Sequence, residues 1–135
     1  MKTLSVFKTG LTVLVMGLLL SLPFSVYSQE IIDIQVSPST LNLQNQGEWV
    51  TVHTDIAYGL VLESSVTLNG IAIEWSKVDN QGNFVAKFVI GSIIGIPGLN
   101  IGDYNTLTLE GVKTIGGTFT GSDEVMVINP IPKKK

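Results

Sequence analysis

Residues 116–128 read GGTFTGSDEVMVI, two glycines and a Gly-Ser-Asp set inside an alternation of polar and apolar residues. A glycine-rich run of this kind has two readings. A loop that cradles an anion needs a helix N-terminus behind it to supply free amide donors. A bent strand needs only that alternation continue on both sides. No amphipathic helix pattern follows this stretch, and the Gly-x-Ser-x-Gly of a nucleophile elbow is absent. Phe119 shares parity with Val125 and Val127, so all three can face one core. The segment therefore reads as a strand. Gly121 and Ser122 are expected to interrupt it with a bulge or bend, and Asp123 to cap local backbone amides.

After residue 28 nearly every segment has a period of two. Ile32, Ile34 and Val36 alternate with polar residues, Ser37-Pro38-Ser39 breaks the run, and Leu41 and Leu43 resume it. In the long strand GEWVTVHTDI, Val50, Val52, Thr54 and Ile56 share one face, and Trp49, Thr51, His53 and Asp55 share the other. Asn69-Gly70 stands between Val66, Leu68 and Ile71, Ile73, Trp75, the signature of a two-residue hairpin whose turn positions both need positive φ. This places Trp75 on the inward parity. Asp79–Asn83 is a second turn. Phe84, Ala86, Phe88 and Ile90 make an inward face, with Lys87 outward. Residues 93–102 are apolar and glycine-rich, and read as a packed loop or one helical turn closing an end of the core. Leu107 and Leu109 mark another strand, ended by Gly111.

About seven short strands with regular turns and no amphipathic helix predict an all-β fold, an Ig-like antiparallel β-sandwich. Trp75 would be its core tryptophan. Tyr104, after Gly102-Asp103, would sit at a tyrosine corner.

The N-terminus has a different character. Lys2 and Lys8 precede the apolar run Leu11 to Leu22, Pro23 breaks it, and Val26-Tyr27-Ser28 offers a cleavage site. Residues 1–28 are read as a cleaved signal peptide, residues 29–129 as the sandwich domain, and residues 130–135 as a basic frayed tail. An uncleaved anchor is the alternative. Cleavage after Ser28 leaves 107 of the 135 residues, with eleven carboxylates against six lysines and a net charge of about −5. The chain has no arginine, which argues against nucleic-acid binding, since phosphates demand a basic face. It has no cysteine, hence no disulfide and no lipid attachment through a thiol. The expected location is secreted: medium, cell surface or periplasm.

The chain resembles the small Ig-like modules of secreted bacterial and archaeal proteins, often found beside dockerin or other repeat modules. The resemblance rests on Asp33-Ile34, Pro38, Thr40-Leu41-Asn42-Leu43, Gly47-x-Trp49-Val50-Thr51, Val66-x-Leu68-Asn69-Gly70, Lys87-Phe88 and Phe119-x-Gly121-Ser122-Asp123. It implies a non-catalytic extracellular module. Members often carry an Asp-rich, calcium-like insertion before the Lys-Phe strand. Here only Asp79 supplies a carboxylate among amides, too little charge for a tight calcium site.

No catalytic, metal or cofactor residues are assigned. His53 is the chain's one histidine; Thr51 and Asp55 flank it on its face, but one histidine without cysteine cannot furnish a zinc site. The candidate ligand or partner face is Trp49, Thr51, His53 and Asp55, a polar strip with one aromatic plate. The expected role is structural or protein-interacting, with another extracellular protein as partner. The alternative is a small carbohydrate-binding protein that uses the exposed tryptophan.

Overall fold

The computed structural model describes residues 28–44 and 47–130. The expected signal peptide lies outside them, apart from Ser28, and so does the tail from residue 131 on. Among the described residues no helix is long and apolar enough to cross a membrane.

Among the described residues ten strands form two sheets: β1 (Gln29–Ile31), β2 (Ile34–Ser37), β3 (Thr40–Asn42), β4 (Trp49–Ala57), β5 (Val61–Leu68), β6 (Ile71–Ala72), β7 (Trp75–Val78), β8 (Asn83–Val89), β9 (Asp103–Lys113) and β10 (Thr118–Ile128). A four-stranded sheet runs β2-β4-β8-β7, and a six-stranded sheet runs β1-β10-β9-β5-β6 with β3 also on β10. Letter for letter this is the immunoglobulin order. The first sheet carries strands A, B, E and D, and the second carries G, F and C. The fold is an antiparallel-rich β-sandwich, as the alternation required. The strand count exceeds seven because two stretches divide between sheets.

The first division is at the N-terminus. β1 and β3 pair parallel with opposite ends of β10, at Thr118 to Thr120 and at Met126 to Ile128. Between them β2 crosses to pair antiparallel with β4. The second follows the Asn69-Gly70 turn, which has φ of 46° and 83° as a type I′ hairpin requires. Ile73 still donates its N–H to Val66 O of β5, at 3.1 Å, whereas Glu74 donates to Lys87 O of β8, at 2.9 Å. The chain changes sheets between these two residues, so the parity of the β6 side is not carried into β7. Trp75 is therefore on the outside of the sandwich, 38% exposed, and is not the core tryptophan.

The core lies between the sheets, where Phe84, Phe88, Phe119, Leu68, Leu107 and Leu109 are fully buried. β4 supplies Val50, Val52, Thr54 and Ile56 as its alternation dictates, and the Thr54 hydroxyl donates to Phe84 O at 2.6 Å. A short helix, α1 (Ile90–Ile94), closes one end with Ile90 and Ile93 inward. It begins three residues before the segment the sequence assigned to a packed turn.

The opening stretch is an uninterrupted strand. β10 pairs with β9 in one register from Thr118–Val112 to Val127–Asp103, with no bulge at Gly121 or Ser122. Both strand glycines serve close approach. A Cβ on Gly121 would lie 2.7 Å from Ile32 O, where the chain passes over on its way from β1 to β2. A Cβ on Gly111 would lie 2.5 Å from Cζ of Phe119, its cross-strand partner. Gly111 thus does not end β9, which continues to Lys113; it makes room for the Phe119 ring.

Asp123 falls on the inward parity of β10. Its Oδ1 accepts the N–H of Glu124 at 2.9 Å, the local cap that was expected, while its Oδ2 accepts the N–H of Val36 at 2.8 Å. The tyrosine corner is absent. Tyr104 is 59% exposed, and the neighbouring Asn105 takes the inward position, 8% exposed. Its amide donates to Asn100 O and Asp103 O, and its Oδ1 accepts the N–H of Asn100 at 2.7 Å.

Candidate functional site

The outer face of the four-stranded sheet is built by cross-strand rows. One row runs through all four strands: Ser37, Thr51, Lys87, Trp75. The next runs Gln35, His53, Val85, Lys77. Trp49 stands opposite Val89, on the other side of Thr51 from His53. Neighbouring strands lie about 4.8 Å apart, so side chains in one row touch and long ones reach diagonally.

Trp49 on β4 and Trp75 on β7 are separated by β8, yet their rings meet across it. Their centroids are 5.8 Å apart and their planes lie at 87°, an edge-to-face pair. Lys87 rises from β8 as the cross-strand neighbour of both Thr51 and Trp75. Its Nζ donates to the Thr51 hydroxyl at 2.7 Å and stands 5.7 Å from the Trp75 ring centre, within cation–π range. One of three ammonium donors is used by this hydrogen bond, and two remain.

Electrostatically the face is uncompensated. Among the described residues one ion pair forms, Lys113 Nζ to Glu30 Oε1 at 3.7 Å, on the other sheet. Lys87 and Lys77 have no carboxylate partner there. Burial, and secondarily repulsion from Lys77, lowers the pKa of Lys87 below its usual 10.5. The only acidic residue at an outward strand position of this sheet is Asp55, whose Oδ1 accepts the Asp33 N–H at 3.0 Å. Carboxylates of the opposite sheet's outer face, Glu110 and Glu124, are exposed on the far side of the sandwich.

Of the four residues singled out from sequence, Trp49 and Thr51 lie in this cluster. His53 is exposed in the next row, and Asp55 is occupied in tethering the β1–β2 crossing. Sequence reasoning left out Trp75 and Lys87. The outward parity of Lys87 was readable; that of Trp75 was hidden by the change of sheet after Ile73. The Asp79 turn is folded on itself: Asp79 Oδ1 accepts the N–H groups of Gln81 and Asn83 at 2.8 and 2.9 Å, so the carboxylate shapes its own turn. Among the described residues no group of three or more His, Cys, Asp and Glu side chains converges in a way that could hold a metal ion.

No protein-family model matches the chain, and no curated protein matches it. Among solved structures, a chain from work on host cell-surface retention of a 1.5-MDa bacterial ice-binding adhesin is similar at a TM-score of 0.42 and 18% identity. The match covers 77% of this chain and 33% of that one, so this chain spans about a third of its neighbour's length. That likeness is too distant to define a family.

Proposed function

We propose that this chain is a non-catalytic, secreted Ig-like module that works by binding, with the outer face of the β2-β4-β8-β7 sheet as its contact surface. One observation carries the reading. Both tryptophans of the chain stand on that face, around a lysine that has no carboxylate partner among the described residues. A fold that needs its aromatic residues for cohesion buries them; here the sandwich is held by three phenylalanines and aliphatic residues, and the tryptophans are spent outside. Tryptophan is enriched where a protein contacts another molecule, because it offers a large rigid area at small entropic cost.

Two features support the rest of the reading. The Lys2–Ser28 leader pattern supports export. His53, the one histidine, stands on an open sheet face between Gln35 and Val85, with neither nucleophile nor carboxylate as its cross-strand neighbour, an arrangement that favours contact over acid–base chemistry. The test is binding of the purified protein to isolated envelopes of the cells that make it, comparing wild type with Trp49→Ala, Trp75→Ala and the opposite-face variant Thr106→Ala. Loss confined to the tryptophan variants supports the reading; equal binding by all of them removes it.

A further inference from the structure

We infer that the Trp49–Lys87–Trp75 cluster is a subsite for an acidic polysaccharide, one whose sugar units carry carboxylate groups, with an indole ring against a pyranose and the Lys87 ammonium on the carboxylate. The inference rests on the proposed binding role of this face and adds the ligand class.

The chain has a formal net charge of −3, yet two of its three described sandwich lysines stand on one sheet face without an acidic partner there. Lys87 is half-buried beside neutral groups, the Thr51 hydroxyl and the Trp75 indole. Burial and Lys77 both disfavour its charge, and among the described residues no carboxylate pairs with it to offset them. An arriving carboxylate would supply the missing charge and accept the two remaining donors. Acidic carbohydrate fits better than an acidic peptide because of the rings. The two indoles stand edge to face at 5.8 Å, and the Lys87 ammonium lies 5.7 Å from the Trp75 ring centre, so aromatic surface and a cation share one spot on the sheet. A peptide side chain carrying a carboxylate brings no flat apolar face of its own to cover an indole. Lysine suits such a site as a point charge that tolerates several carboxylate orientations along a polymer.

The experiment is a fluorescence and calorimetric titration of the purified protein with polygalacturonate, alginate and glucuronan. Fully methyl-esterified polygalacturonate serves as the neutral counterpart and polyglutamate as the acidic peptide. At least one polyuronate is expected to shift tryptophan emission, with affinity falling as salt is raised. The methyl ester and polyglutamate are expected not to bind. Lys87→Gln should weaken the complex about tenfold, the order expected for one charge-assisted hydrogen bond, and Trp75→Leu should weaken binding and reduce the emission shift while retaining the wild-type thermal transition. Equal binding of the methyl ester, or equal binding of polyglutamate, overturns the inference. So does failure of all three polyuronates. If envelopes still bind in that last case and depend on the tryptophans, only the ligand class is lost; if envelope binding is also insensitive to them, the proposed contact face falls as well.

Discussion

The carboxylate of Asp123 on the last strand holds the backbone N–H of Val36 on the second, at 2.8 Å and across 87 positions of sequence. β2 is an edge strand of the four-stranded sheet, and its outer N–H would otherwise face the gap left where β1 and β3 bracket β10. A side chain from one sheet thus finishes the edge of the other. Asp123→Ala should cost about 1–3 kcal/mol in urea unfolding, the penalty of leaving a part-buried donor unpaired, and Asp123→Asn clearly less. An unchanged midpoint for Asp123→Ala would show that the bond adds nothing to stability.

Gly111 and Phe119 form a second matched pair. Because a Cβ at 111 would enter the Phe119 ring, Gly111→Ala should destabilise by about 1–3 kcal/mol, as overpacking does. In a Phe119→Leu background the same change should cost less, since the ring atoms it meets are gone. A double-mutant cycle by denaturant titration measures this coupling.

Asn105, and not Tyr104, organises the loop before β9. Asn105→Ala removes three hydrogen bonds from a nearly buried side chain and should cost about 1–3 kcal/mol. Tyr104→Ala should stay within about 0.5 kcal/mol of wild type, as exposed positions do. Thermal melts of the two variants side by side decide between the residues.

Burial holds the pKa of Lys87 below 10.5 and so couples stability to pH. The folded state penalises its ammonium, so the cost is fully present below the folded pKa. Between that value and the ordinary 10.5 the unfolded chain binds more protons, and the Lys87 contribution to stability rises with pH. Direct NMR titration of the Lys87 side chain should give a midpoint below 10.5. In Lys87→Met the rise of stability across that window should be smaller than in wild type. A midpoint at or above 10.5 would contradict the burial of the ammonium.

Much of the sandwich was legible because alternation is a local property. The two faces of β4 follow from its sequence alone, and so does the Asn69-Gly70 turn, where backbone conformation dictates residue type. What was hidden is tertiary. Gly111 and Gly121 have φ values that any residue can adopt; the need for glycine comes from Phe119 and from the Ile32 backbone, distant in sequence. The division of the N-terminal stretch into β1, β2 and β3 depends on strands of three or four residues, too short for periodicity to assign to a sheet. Trp75 was placed inside because parity was carried through a change of sheet that only the Ile73 and Glu74 hydrogen bonds reveal. The outward parity of Trp49 and Lys87 could be read from sequence; the outward side of Trp75, and its meeting with both of them, needed the fold.

Since Trp49 and Trp75 are the chain's two tryptophans and share one face, tryptophan emission from the protein reports on that face. The most direct measurement is therefore iodide quenching of tryptophan emission in the purified protein, before and after addition of isolated cell envelopes to saturation. If the outer face of the β2-β4-β8-β7 sheet is the contact surface, the bound protein will be shielded and the quenching constant will fall. Saturable binding with quenching unchanged would place the contact elsewhere and contradict the account.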